Sequence, residues 1–342
     1  MRLLTTLATA LTLTLSAAAQ AQESATLNML CSAGTVYCEA LARNYQRSTG
    51  TKVNMVAKST GEVLAQIIAE KNNPKTDLWY GGTGDPHLQA AEQDLLQEYR
   101  SSLAAQQHDW ALAQAKAGNY KTIGVYLGPL GFSYNTELVV KKAIAAPQCW
   151  KDLIKPEYKG EIQSANPNSS GTAYVVIATL VQIMGEEAAF DYMKKLHKNI
   201  NQYTRSGSAP VRNAARGENT IGLSFIADVV NEITNGFPVK WATPCEGTGY
   251  EIGSMSIVKG ARNGDAAKKF YDWALTSTVQ HQTHTESKSP QYASNKAVAV
   301  FPGMPKLNEI KFIDYDFAKY GSVAVRKALL TRWDKEIGSL VN

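Results

Sequence analysis

Between Thr26 and Tyr80, short apolar strands alternate with helical runs, and each strand ends in a turn of glycine and hydroxyl residues. The pattern predicts a strand over 26–30, a helix over 36–47 closed by Gly50, a strand over 52–56, an amphipathic helix over 61–71 and a strand over 77–80. Such alternation builds a parallel sheet covered by helices, with ligands at the carboxyl ends of its strands. The turns Ser32-Ala-Gly34-Thr35, Ser59-Thr60-Gly61 and Gly81-Gly-Thr83-Gly84-Asp85 then share one edge and converge on one cleft.

A second unit follows the stretch 126–135, whose glycine and proline content suits a chain crossing between domains. A strand over 160–164 feeds Asn166-Pro-Asn-Ser-Ser170-Gly-Thr172-Ala, directly before the helical run 173–184. A helix start of this kind offers free N–H groups, hydroxyls and the positive end of a dipole, which suit an anionic oxygen cluster. An ordinary N-cap uses the same residues. Recurrence favours the anion seat, because Ser206-Gly207-Ser208-Ala-Pro210 precedes another helical run at 211–216. A strand at 221–225 leads into Ala227-Asp228 and a further helix, and strands at 239–243 and 254–258 precede a helix at 266–275. The expected fold is α/β, with two lobes around a hinged cleft. Residues 22–130 and 245–342 would form the first lobe and 131–244 the second.

Residues 1–21 read as a secretory leader: Arg2, the apolar stretch 3–15, and Ala19-Gln20-Ala21 as the cleavage signal. No lipobox cysteine follows, which makes a free periplasmic protein the expectation. In an oxidising compartment the four cysteines are permitted to pair in three ways. The favoured arrangement joins Cys31 to Cys38 and Cys149 to Cys245. No Cys/His cluster has zinc spacing, and His281 and His284, three apart, fit a solvated loop. The formal charge of +5 lacks a basic run with interleaved aromatics, which argues against nucleic acid. Gly81–Gly84 lacks the dinucleotide spacing, and the GxxxxGK[ST], GxSxG and HExxH signatures are absent. Asp85 and His87 read as capping groups rather than a catalytic pair, Trp79, Trp150 and Trp241 as core, and Tyr37 as core in preference to packing on a sugar face.

Several segments together resemble the extracellular solute-binding proteins of family 1. They are Gly131-Phe-Ser-Tyr134-Asn135-Thr-Glu137, Cys149-Trp150-Lys-Asp152-Leu with Pro156-Glu-Tyr158-Lys-Gly160, the 169–173 seat, Gly217-Glu218, and Pro244-Cys-Glu246-Gly-Thr248-Gly-Tyr250-Glu251. The similarity spans essentially the whole chain after the leader and points to the ferric-iron and phosphonate or sugar-phosphate branch. It implies a type II periplasmic binding protein, monomeric, without catalysis, cofactor or resident metal, that serves the membrane permease of an ABC importer. Iron binders of this group carry adjacent tyrosines where this chain has Phe225-Ile-Ala227-Asp228, which disfavours ferric ion. Hexose-phosphate binders carry His-Asp there. A hexose phosphate is thus the first expectation for the small anionic ligand, and 2-aminoethylphosphonate its rival.

On that footing Ser170, Gly171, Thr172, Ser206 and Ser208 would hold the phosphoryl or phosphonate oxygens, with Ser32, Thr35, Ser59 and Thr60 contributing from the first lobe. Asp228 would take sugar hydroxyls or an ammonium group, and Asp85 lies in the same set of turns. Glu246 and Glu251 read hydroxyls or an amine, or equally cap a hinge loop. An exported phosphate-handling enzyme would share such a cleft, and a general base matched to an acid or metal would distinguish it.

Overall fold

The computed structural model describes residues 25–340, so the expected leader and its cleavage site lie outside the described residues. The alternation forms β1 (Thr26–Cys31), α1 (Thr35–Thr49), β2 (Lys52–Ala57), α2 (Thr60–Glu70), β3 (Leu78–Tyr80) and α3 (Gly84–Glu92). β1 lies parallel between β2 and β3. Side chains alternate across a strand, so Met29 and Leu78 enter one core with Leu41, Tyr45 and Phe270, while their neighbours Leu30 and Trp79 enter another with Val63 and Ile67. Burial on both faces explains why these strands read as continuous apolar runs. α1 stops at Gly50, whose φ of 73° suits glycine best.

β4 (Leu96–Gln97) and α4 (Asp109–Ala117) lead into β5 (Ile123–Asn135), a 13-residue strand. The second lobe follows as α5 (Thr136–Lys141), β6 (Ile162–Ala165), α6 (Gly171–Met184), α7 (Glu186–His197), β7 (Ile200–Thr204), α8 (Ala209–Ala215), β8 (Ile221–Phe225), α9 (Ile226–Thr234) and β9 (Val239–Ala242). Its main core gathers Phe132, Trp150, Tyr174, Phe190 and Leu223, and a smaller one gathers Val211, Val229 and Val239. β10 (Tyr250–Val258) then returns to the first lobe, antiparallel to β3 and to the 123–129 part of β5. The 130–135 part of β5 pairs with β8 and β9. The glycine- and proline-rich crossing is therefore a strand. One sheet runs through both lobes in the order β2-β1-β3-β10-β5-β8-β6-β7.

α10 (Gly264–Ala274), α11 (Ser277–Ser287) and β11 (Tyr292–Ala293) extend the first lobe. The assignment of all of 245–342 to that lobe needs correction at its end. α12 (Phe317–Tyr320) and α13 (Val323–Glu336) bring Tyr320, Leu329 and Trp333 into the second lobe's core. α13 also touches the first lobe, where the Val323 N–H donates to Glu92 Oε2 at 3.0 Å. Only Arg326, Leu329 and Trp333 of α13 are buried, and so sparse a pattern does not say which lobe supplies the partner surface.

Both disulfides have the favoured connectivity: Cys31–Cys38 ties β1 to the first turn of α1, and Cys149–Cys245 joins segments 96 residues apart. Trp79 and Trp150 are core, whereas Trp241 is only partly covered at the edge of the smaller cluster. Tyr37 is buried with its hydroxyl 3.0 Å from that of Tyr80. His281 and His284 stand on α11 rather than in a loop. His284 is buried 5.3 Å from the Tyr37 ring, and burial pushes its pKa down to about 4. No helix among the described residues is long and apolar enough to cross a membrane.

Candidate functional site

The N-cap residues of six helices line one cavity of about 430 Å³ between the lobes. Gly34 (α1), Ser59 (α2) and Thr83 (α3) come from the first lobe, and Ser170 (α6), Ser208 (α8) and Phe225 (α9) from the second. Each helix start carries N–H groups without intrahelical partners and the positive end of the dipole. An oxyanion in this cavity meets such ends from both lobes at once.

Side chains add donors in the same sense. The Ser32 hydroxyl accepts from Trp79 Nε1 at 3.1 Å, Ser208 accepts from Arg212 Nη1 at 2.6 Å, and Ser170 accepts from the Ala173 N–H at 3.4 Å. Ser32 and Ser170 therefore keep their own protons to give to a ligand, whereas the Ser208 hydroxyl also lies 3.2 Å from that of Ser206, and either of that pair can donate to the other. The Tyr126 hydroxyl accepts from the Gly82 N–H at 2.7 Å and is free to donate likewise. Burial holds its pKa well above the ordinary range, so it stays a neutral donor.

The cavity also contains two carboxyl groups with no cation paired to them among the described residues. Asp228 accepts from the Ser224 hydroxyl at 2.6 Å, and Glu251, on β10, has no side-chain hydrogen bond among the described residues. Burial raises the pKa of both, with Asp228 adding to the effect on Glu251, while the Ser224 bond and Arg212 partly offset it for Asp228. Desolvation works against charge on both groups. Both are therefore poised to exchange hydrogen bonds with a ligand, and an anion beside them faces less repulsion than two exposed carboxylates would impose.

Ser32, Thr35, Ser59, Thr60, Ser170, Gly171, Thr172, Ser206, Ser208, Asp228 and Glu251 all line the cavity. Two candidates do not. Asp85 is buried outside the lining, in the first turn of α3, where burial raises its pKa to about 6 against the opposing pull of Arg326. Glu246 caps the short turn Trp150–Ile154, accepting from the Trp150 N–H at 2.8 Å and the Lys151 N–H at 3.1 Å. That is the loop-capping role its position allowed. His87 makes no bond to Asp85; it stacks on Trp79 at 3.6 Å, with Nδ1 2.8 Å from the Ser256 hydroxyl.

Tyr126, Arg205, Arg212 and Glu62 line the cavity without having been singled out from sequence. Arg212 stands four residues after Ser208 on the same helix face, a spacing that signals contact. Tyr126 comes from the crossing strand, and no local pattern marks it.

The lobes meet at the cavity rim. The Gly61 N–H donates to Ser169 O at 3.1 Å, the Ser59 hydroxyl donates to Arg205 O at 3.3 Å, and Arg205 pairs with Glu62 across the gap. Glycine is needed at two of these approaches. A Cβ at Gly61 would stand 2.4 Å from Asn168 O, and one at Gly171 would stand 2.0 Å from Thr83 Oγ1.

Comparison with known proteins agrees with this architecture. The family model described as "Bacterial extracellular solute-binding protein" matches residues 73–320. An uncharacterized protein of Haemophilus influenzae is 44% identical over 91% of this chain and 90% of its own length. The periplasmic binding protein AfuA of Actinobacillus pleuropneumoniae, solved with exogenous fructose-6-phosphate bound, superposes with a TM-score of 0.89 at 46% identity, covering 92% of this chain and 99% of that one. A periplasmic protein of Salmonella typhimurium, provisionally named for 2-aminoethylphosphonate binding, is 24% identical over 69% of this chain and 68% of its own.

Proposed function

The chain belongs to the bacterial extracellular solute-binding proteins, and from that premise we propose that it captures a hexose phosphate in the interlobe cavity and delivers it to the permease of an ABC importer. The observation that carries this reading is the coexistence in one cavity of six helix N-caps and two carboxyl groups, Glu251 buried and Asp228 half-buried. The first set suits phosphoryl oxygens. The second suits groups that donate hydrogen bonds, such as sugar hydroxyls. Ser170, Gly171, Thr172, Ser206 and Ser208 would hold the phosphoryl group, with Ser32, Thr35, Ser59 and Thr60 completing it from the first lobe. Asp228 and Glu251 would take the hydroxyls. The similarity to AfuA, solved with fructose-6-phosphate, supports the same class. A periplasmic location, a monomeric state, no nucleic-acid partner and no turnover of the ligand are part of this reading.

An aminoalkylphosphonate is the second reading, favoured by the unpaired acidic couple, which an ammonium group would neutralise. The two differ in pH response. Asp228 and Glu251 have raised pKa values, so binding an ammonium ligand would release protons and strengthen as pH rises, whereas a neutral polyol end would show far less of this dependence. A thermal-shift screen of refolded, ligand-free protein with glucose 6-phosphate, fructose 6-phosphate, 2-aminoethylphosphonate, inorganic phosphate and ferric citrate tests the reading, because a ligand of the native state raises apparent stability. A shift with the sugar phosphates supports it. A shift with the phosphonate alone selects the second reading, and a shift with ferric citrate alone rejects both.

A further inference from the structure

A second cavity of about 400 Å³ adjoins the first, and the two share Gly34, Thr35, Ser208, Arg212 and Asp228 in their walls. The first cavity alone lies within the range of roughly 300–1,000 Å³ usual for small-ligand sites. The second is therefore additional volume rather than room the hexose phosphate requires. We propose that it is a subsite for a second sugar unit, so that the cleft admits phosphorylated disaccharides as well as hexose phosphates.

The walls fit that occupant. Glu232 presents a partly exposed carboxylate with no hydrogen-bond or ion-pair partner among the described residues, and Asn235 and Ser289 add an amide and a hydroxyl. Arg212 joins the halves: it is bonded to Ser208 at 2.6 Å and lines both cavities. Val36, 58% exposed, offers an apolar patch of the kind that packs on the C–H face of a sugar ring. A carboxylate, amides and a hydroxyl around one apolar contact match a neutral polyol better than a second phosphate, which Glu232 would repel. Beside this cavity α9 is tied to the end of α11, where Asn231 Nδ2 donates to Lys288 O at 2.5 Å. Gly34 stands in the walls of both cavities.

This inference rests on the sugar-phosphate reading, and the experiment separates the two. Calorimetric titrations would compare glucose 6-phosphate with trehalose 6-phosphate on the full mature chain, its Ser289→Trp variant, which fills only the second cavity, and its Glu232→Gln variant. The expected result is trehalose 6-phosphate binding within about tenfold of glucose 6-phosphate, with Ser289→Trp weakening the disaccharide by about tenfold or more and leaving glucose 6-phosphate unchanged. Glu232→Gln should weaken the disaccharide alone, by several-fold. Binding of glucose 6-phosphate without trehalose 6-phosphate overturns the second subsite and leaves the first reading intact. Equal losses for both ligands in both variants also overturn it, and binding of neither sugar phosphate removes both proposals together.

Discussion

Thr172 and Asp228 line the same cavity with opposite chemistry, and the account assigns them separable roles. Thr172→Val removes a hydroxyl from the anion seat and should weaken every phosphorylated ligand alike, by about 1.5–3 kcal/mol each, as one lost hydrogen bond to a charged group costs. Asp228→Asn should instead change the ranking between sugar phosphates and an aminoalkylphosphonate. Calorimetric affinities for a panel of ligands check this, and equal behaviour of the two variants would contradict the division. Gly171 makes a different prediction. Its added Cβ would stand 2.0 Å from Thr83 Oγ1, a side chain of the other lobe that is itself buried. Gly171→Ala should therefore hold the lobes apart and lower affinity by about tenfold or more while leaving the melting temperature of the ligand-free protein nearly unchanged. A variant with intact affinity would show that closure does not bring these helices together.

At the level of elements, the strand-to-helix turns were legible because their signal is local. Ser59 and Glu62 form a capping box that starts α2, and Ser170 caps α6, both within three or four residues of sequence. What escaped reading is set by tertiary approach. Tyr126 joins the site only because β5 is a strand shared by both lobes, and Asp85 leaves it because the first turn of α3 is covered by neighbouring elements. α13 buries only Arg326, Leu329 and Trp333, too few for a clear apolar stripe, and its partner shows only in the structure, where Trp333 stands edge-on to Tyr203, 5.5 Å away. The disulfides differ in what they restrain. Closing 96 residues removes more unfolded-chain freedom than closing 7, about 4–5 against about 2–3 kcal/mol by the chain-entropy estimate. Replacing Cys149 and Cys245 by serine should thus cost more stability in denaturant titration than replacing Cys31 and Cys38. The reverse order would point to strain or residual unfolded structure instead.

At the scale of the whole molecule, a buried polar cluster spans the two lobes beside the cleft. Asp85 belongs to the first lobe; Arg326, on α13, donates to Pro167 O at 3.4 Å and lies over the Tyr174 ring of the second, 4.3 Å from its centre. Burial raises Asp85 from an ordinary 3.8 to about 6, and burial likewise lowers Arg326. A carboxyl whose folded pKa exceeds its unfolded value binds protons more tightly when folded, so its contribution to stability falls as pH rises from about 4 to about 6. The change is about 3 kcal/mol at most, and Asp85→Asn should remove it from the pH profile of unfolding. An unaltered profile would show that Asp85 does not titrate there. The Arg205–Glu62 contact at the rim carries less weight: Arg205 is 79% exposed, and such pairs contribute at most about 1 kcal/mol. Affinity must therefore come from the cavity itself.

The most direct test is titration calorimetry of refolded, ligand-free protein with fructose 6-phosphate, set against fructose and inorganic phosphate. The account predicts that the intact ligand binds about a hundredfold or more tighter than either fragment, because the helix ends and the carboxyl pair each contribute to one site. Inorganic phosphate binding as tightly as fructose 6-phosphate, or no binding of fructose 6-phosphate at all, would contradict it.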